Sequence, residues 1–130
     1  MPDFATLHVI FTHFPIALFM VSFAVEWLRT INKLNVSPHV SLVCLTFGCL
    51  GATCAVPIGW LAASVYGTWN VVLWHKIMGI ILTLFSYGVL WVYLKNKKQG
   101  LKLVMIGLLC LFTLITGFLG GEIVRPQLLR

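Results

Sequence analysis

The chain has 130 residues, of which 60% are hydrophobic and only 9% are charged, and its formal net charge is +6. A soluble domain carries about 25% charged residues, so this composition excludes an ordinary soluble protein and predicts an integral membrane protein. The basic residues lie beside apolar runs, where they set topology and contact anionic lipid. We therefore expect a lipid bilayer as the surroundings and no nucleic-acid partner.

Four long, mainly apolar runs predict four transmembrane helices, because a span needs about 20 apolar residues. The first, residues 4–28, opens the chain without the basic region or the A-x-A site of a cleaved signal, so we expect a mature helix. A long uncharged run follows, and the turn YGTWN at 66–70 divides it into spans 38–65 and 71–94. The last span covers 101–124 and should stop at RPQ.

The runs do not alternate between apolar and polar residues, and only helices or closed barrels satisfy the backbone in lipid. The connections between the runs are short, which favours neighbours of opposite direction. The predicted fold is all-α, a single integral membrane domain over residues 1–130, built as an antiparallel four-helix bundle.

The basic residues predict the orientation of the bundle. Six lie in the connections after the first and third spans: Arg29, Lys33, Lys95, Lys97, Lys98 and Lys102. Three lie at the opposite side: Lys76, Arg125 and Arg130. Since basic loops stay in the cytoplasm, we expect both termini in the periplasm of a bacterial inner membrane.

Three of the four histidines fall in the predicted outer half of the membrane. His8 and His13 lie on the first span and His75 begins the third, in the same leaflet as Glu122, whereas His39 lies on the inner side. Histidine is costly in lipid, so each intramembrane histidine is a candidate functional residue. His8 and His13 are about 140° apart around a helix, so only one of them can face the bundle interior.

Small residues accompany the histidines. Pro15 has no backbone N–H, so the Phe11 carbonyl loses its hydrogen-bond donor in the helix. The kink expected there lies within one turn of His13 and would change the direction of its side chain. Gly79 lies one turn from His75, and the fourth span carries a glycine face. This face, Gly117 and Gly121, indicates either close helix packing or a flat wall beside a porphyrin.

Three segments resemble one family. LHVIFTHFPIALFM, HKIMG and TGFLGGEIV are similar to the opening, the third-span histidine segment and the fourth-span ending of the DUF2231 predicted membrane proteins. The resemblance covers essentially the whole chain and implies a small four-helix membrane protein, but it carries no established activity. The architecture also resembles the small quinone-linked b-type cytochromes.

These observations favour a membrane b-type haem protein that transfers electrons between the quinone pool and a periplasmic partner. His13 and His75 are the predicted axial ligands of one haem b, with His8 in reserve. Lys76 and Arg125 are expected to pair with the haem propionates, and Glu122 to order Arg125 or receive a proton. Gly79, Gly117 and Gly121 would flank the ring.

Two other functions stay open. A copper or zinc site could use His8, His13, His75 and Glu122 as ligands. Alternatively, the chain is a cofactor-free membrane anchor or assembly subunit whose histidines join helices by hydrogen bonds. The sequence leaves open whether it is an enzyme or a homo-oligomer, and which molecules donate and accept electrons.

Overall fold

The computed structural model describes residues 3–32, 35–65, 73–95 and 98–128, with side chains described as far as Gly121. These residues form four helices and no strand, which confirms the all-α prediction. The helices are α1 (Phe4–Thr30), α2 (His39–Val65), α3 (Leu73–Lys95) and α4 (Gln99–Leu128). The predicted turn at 66–70 lies outside the described residues.

Local chemistry accounts for the helix ends. The Asp3 carboxylate caps α1 by accepting a hydrogen bond of 2.7 Å from the Thr6 backbone N–H. Pro15 lies inside α1 without ending it, and the helix continues to Thr30. The expected stop at RPQ is not where α4 ends, since the helix continues to Leu128. Pro126 has no backbone N–H and so costs α4 one hydrogen bond, but it does not end the helix.

The bundle is wound in order, with α1 and α3 on one diagonal. Each of these two helices packs against α2 and α4, and they do not pack along each other. At one end, His8 near the start of α1 meets Ala55 in the second half of α2. At the other end, the Ser22 hydroxyl of α1 donates to the Ser41 carbonyl near the start of α2. Neighbouring helices therefore run antiparallel, whereas α1 and α3 run in the same direction.

The outer surface of the bundle is apolar on every side. Each helix has a segment long and apolar enough to cross a membrane, in α4 the segment Gln99–Gly121. Large side chains such as Leu84 and Phe118 are about two-thirds exposed, at 68% and 67%. In water this surface would drive aggregation, whereas in a bilayer it contacts lipid tails. The chain is thus an integral membrane protein.

Exposed tryptophans lie near both ends of the bundle. Trp60 and Trp74 lie at the end where α1 and α3 begin, and Trp27 and Trp91 lie at the other. Tryptophan is enriched at the two boundaries between membrane and water. The four residues therefore match the two aromatic belts expected of a spanning bundle.

The middle of the bundle is packed mainly with apolar side chains, and the polar groups buried there are small hydroxyls such as Ser22 and Ser86. Phe19, Leu45, Ile106 and Leu109 are fully buried there. The Phe19 ring lies directly against Gly48, where a Cβ would overlap it. This layer separates the polar groups at one end of the bundle from those at the other.

The two helical hairpins, α1–α2 and α3–α4, are built on the same pattern. Each inward residue of α1 has a counterpart in α3 that follows it by a fixed number of residues along the chain. The same holds for α2 and α4, with a second fixed number. The pairs of buried residues in α1 and α3 are Pro15 and Leu82, Phe19 and Ser86, Ser22 and Val89, and Glu26 and Tyr93. Those in α2 and α4 are Leu45 and Ile106, Cys49 and Cys110, Ala52 and Thr113, and Ala55 and Thr116. Because α1 and α3 run in the same direction, the hairpins are parallel repeats about an axis along the bundle.

Candidate histidine site

His8 lies one turn into α1, and the α2 backbone holds its half-buried ring. Its Nδ1 is 3.0 Å from the carbonyl oxygen of Ala55. A carbonyl only accepts hydrogen bonds, so Nδ1 carries the proton and Nε2 keeps its lone pair. One turn after Ala55, Gly59 makes room for the ring, because a Cβ there would be 2.6 Å from Cε1 of His8. The ring is therefore fixed, with one nitrogen left to bind a ligand.

His75 lies near the start of α3 in a matching environment on α4. A Cβ at Gly120 would be 2.6 Å from Cε1 of His75, the same approach that His8 makes to Gly59. The carbonyl of Thr116, one turn before Gly120, lies next to the ring. Nδ1 of His75 is buried and has no hydrogen-bond partner among the described residues. The Thr116 carbonyl is the acceptor beside it, so Nδ1 is the ring atom that faces the backbone of α4.

The two rings meet across the bundle, although they come from diagonal helices. Their centroids are 6.2 Å apart and their planes are inclined at 88°. Two imidazoles on opposite sides of one metal ion have centroids about 6.3 Å apart, given metal–nitrogen distances of about 2.0–2.1 Å and the size of the ring. The observed separation is compatible with a shared ion, and it is also that of an ordinary edge-to-face ring contact.

The ring that meets His75 belongs to His8, whereas the predicted partner was His13. The His13 side chain is exposed, and its Nδ1 donates to the Val9 carbonyl of its own helix at 2.7 Å. The reason is the rotation of α1 in the bundle. His8 lies two helical turns before Pro15, on the stripe that faces inward, whereas His13 lies on another side of the helix. His39 is the exposed first residue of α2, at the other end of the bundle.

The glycines that touch the histidine rings are not those expected. A Cβ at Gly79 or Gly121 would meet nothing within 4 Å, and one at Gly117 would meet only the side chain of Ile16, at 3.8 Å. The predicted face of Gly117 and Gly121 therefore does not contact the rings. Gly59 and Gly120 are the glycines that contact the rings. Each lies one turn after the carbonyl that faces the ring, that of Ala55 or Thr116.

The cations and the acid expected around the site are partly described. Lys76 is only 7% exposed, and its ammonium lies 5.5 Å from the centre of the Trp60 ring, within range of a cation–π interaction. Lys76 thus lies at the same end of the bundle as the histidines. The side chains of Glu122 and Arg125 lie outside the described residues.

A second cluster of polar side chains lies at the opposite end of the bundle. The Glu26 cluster consists of Glu26, Arg29, Tyr93 and Gln99. The Glu26 carboxylate is fully buried and accepts hydrogen bonds from Arg29 at 2.8 Å, from Tyr93 at 2.7 Å and from Gln99. Glu26 and Arg29, three residues apart on α1, also form an ion pair. The links to Tyr93 and Gln99 were not predicted, and they join α1 to α3 and α4.

The histidine pair and the Glu26–Tyr93 pair repeat one geometry. Glu26 follows His8 along α1 by as many residues as Tyr93 follows His75 along α3. These are five turns of helix, or about 27 Å, close to the 30 Å of a bilayer core. The two pairs therefore lie near the two membrane surfaces, with the apolar layer between them.

The described side chains include no group of three or more histidines, cysteines or acids that could hold a metal ion. All four cysteines are free thiols. Comparison with protein-family models, with curated proteins and with solved structures finds no match to this chain. Membership of the DUF2231 family therefore stays a prediction from the motifs.

Proposed function

We propose that the protein is a membrane electron-transfer protein that binds one haem b, with His8 and His75 as axial ligands. The observation that carries this proposal is the 6.2 Å separation of two imidazoles from diagonal helices. Facing helices of a bundle are a common origin of such ligand pairs. His8 thus takes the ligand role that the sequence suggested for His13.

The donor chemistry fits haem iron. Metal-binding histidines commonly donate their second ring N–H to a backbone carbonyl, which fixes the tautomer and raises ligand basicity. Nδ1 of His8 already donates to Ala55 in this way. Thr116 offers its carbonyl beside His75, and a small rotation of that ring would satisfy the buried Nδ1.

The haem would supply one-electron chemistry, and the protein would control its surroundings. The two histidines hold the ligand atoms in place. The apolar layer around Phe19 and Leu109 excludes water from the middle of the bundle. The Lys76 ammonium lies at the same end of the bundle, over the Trp60 ring, where it would pair with a propionate.

The position of the histidines indicates the electron-transfer partners. They lie one turn or less from the ends of α1 and α3, between exposed tryptophans, so the site is close to a membrane surface. A quinol within the bilayer and a protein in the aqueous phase could both approach it. By the basic-residue pattern, that aqueous phase is the periplasm.

The other two functions account for fewer observations. Zinc is usually bound by four ligands, whereas two imidazoles complete the coordination of haem iron. A cofactor-free anchor explains the hydrogen bond of His8 but gives no reason for two imidazoles from diagonal helices to meet.

The absorption spectrum of the purified protein and its histidine variants tests the proposal. The wild type should show a Soret band that sharpens and shifts on reduction. His8→Ala and His75→Ala should lose most of the haem, at least tenfold relative to the wild type. His39→Ala and His13→Ala are matched controls on exposed positions and should retain it. Loss in His13→Ala with retention in His8→Ala would restore the pairing predicted from the sequence.

A further inference from the structure

We infer that Gly59 and Gly120 are positioning residues, which hold the two imidazoles with their planes at right angles. This inference rests on the proposed function, since it concerns how the haem ligands are oriented. It follows from the way in which the two hairpins repeat each other around the site.

Each hairpin provides an equivalent seat for one ring, by which we mean a backbone carbonyl and the glycine one turn after it. The interval that relates Ala55 to Thr116 also relates Gly59 to Gly120. In both seats a carbonyl lies beside the ring and a glycine follows it one turn later. The sequence around the two histidines differs, so the shared feature is the backbone surface on which each ring lies.

The glycines act on the rings themselves. The distance of 2.6 Å from a Cβ to the nearest ring atom is shorter than any real carbon–carbon contact, and it recurs at Gly59 and at Gly120. The ring of His8 has three atoms within 3.2 Å of that Cβ position, and so has the ring of His75. Each ring therefore lies against the backbone over much of its surface, and an alanine would have to push it away.

Two contacts fix the orientation of each ring. The glycine surface limits the tilt of each ring, and for His8 the Ala55 carbonyl also sets the direction of Nδ1–H. Because the seats belong to different helices on opposite sides of the bundle, the two orientations are set independently. The result is the angle of 88° between the ring planes.

The angle predicts a measurable electronic property. In low-spin ferric haem with two imidazole ligands, perpendicular ring planes leave the iron d orbitals nearly degenerate. Such a centre gives a highly anisotropic electron paramagnetic resonance (EPR) signal, whereas parallel planes give a rhombic one. The oxidised wild type is expected to give the anisotropic signal.

The test compares EPR spectra of the oxidised wild type, Gly59→Ala, Gly120→Ala and Gly88→Ala. Gly88 is the matched control, because it lies on the exposed side of α3 and a Cβ there meets nothing within 4 Å. Gly59→Ala and Gly120→Ala should shift the signal toward the rhombic form and release haem at least about tenfold faster. Gly88→Ala should match the wild type in both measurements.

A second measurement covers the case in which Gly59→Ala does not fold. The overlap involves the His8 ring, so the double variant His8→Ala/Gly59→Ala should recover the melting temperature of His8→Ala alone. Failure to recover it would mean that Gly59 serves helix packing and would overturn the inference.

The outcomes separate this inference from the proposed function. A wild type that binds haem but gives a rhombic signal overturns the right-angle arrangement only. Signals and haem release in Gly59→Ala and Gly120→Ala that equal those of Gly88→Ala also overturn the positioning role. A wild type that binds no haem overturns both proposals.

Discussion

The Glu26 cluster makes the stability of the bundle depend on one buried carboxylate. Glu26→Ala removes the acceptor of three hydrogen bonds, from Arg29, Tyr93 and Gln99. A side-chain hydrogen bond in a membrane bundle contributes about 0.6–1.7 kcal/mol, so the variant should lose about 2–4 kcal/mol. Arg29 is partly exposed and can turn toward lipid head groups, which keeps the loss below that of a completely buried ion pair.

Tyr93→Phe tests one of the three hydrogen bonds of the Glu26 cluster separately. It removes one bond to Glu26, which keeps its two other donors, so it should cost about 1–2 kcal/mol. Tyr87→Phe is the matched control: Tyr87 is exposed, and its partner Thr53 also donates to the Cys49 carbonyl. The control should cost about 0.6 kcal/mol or less.

Unfolding in mixed micelles, followed by circular dichroism as the denaturing detergent is increased, measures all three variants. The expected order of destabilisation is Glu26→Ala, then Tyr93→Phe, then Tyr87→Phe. If Glu26→Ala unfolds at the same detergent fraction as Tyr87→Phe, the cluster does not hold the helices together and the reasoning is refuted.

Three further predictions follow from the packing and the charge pattern. Phe19→Ala should destabilise the bundle by about 3–5 kcal/mol in the same unfolding assay, because it empties the buried space against Gly48, and a loss below about 1 kcal/mol would contradict that packing. Gly121→Leu should keep its haem content and change stability by less than about 0.5 kcal/mol, since its side chain would enter open space; haem loss would instead support the flat wall predicted from the sequence. An impermeant thiol reagent on whole cells should label a cysteine placed at position 129 but not one at position 97, and the reverse result would put the histidine end in the cytoplasm.

The four helices were predictable because the membrane imposes a length and a composition on each span. The predicted boundaries lie within a few residues of the observed ones, except that α4 continues to Leu128. The opposite direction of neighbouring helices also followed from the short connections and is confirmed for α1 and α2.

The inward-facing histidine was not predictable from spacing alone. α1 is apolar on all sides, so its hydrophobic pattern does not show which face turns toward the bundle. The choice between His8 and His13 thus depended on the HFPIA motif and the expected kink at Pro15. In the structure Pro15 packs near Gly51 within an unbroken helix. His8 lies on the same face of α1 as Pro15 and therefore faces the bundle interior.

The spacing that pairs His8 with His75 recurs from Glu26 to Tyr93. Because the residues around these positions differ, the repeat is evident only once the helices are packed. The glycines that contact the rings, Gly59 and Gly120, were harder to identify. Nothing in the sequence distinguishes them from the other glycines of α2 and α4, since only the packing of the helices shows which ones meet a ring.

The measurement that tests the proposed function most directly is the oxidised-minus-reduced absorption spectrum of the purified wild type beside His8→Ala, His75→Ala and His13→Ala. We predict a low-spin b-type haem in the wild type and in His13→Ala, and its loss in the two other variants. A wild type without haem after expression with adequate haem supply, or a six-coordinate low-spin spectrum that survives in His8→Ala or His75→Ala, would contradict the proposed ligand pair.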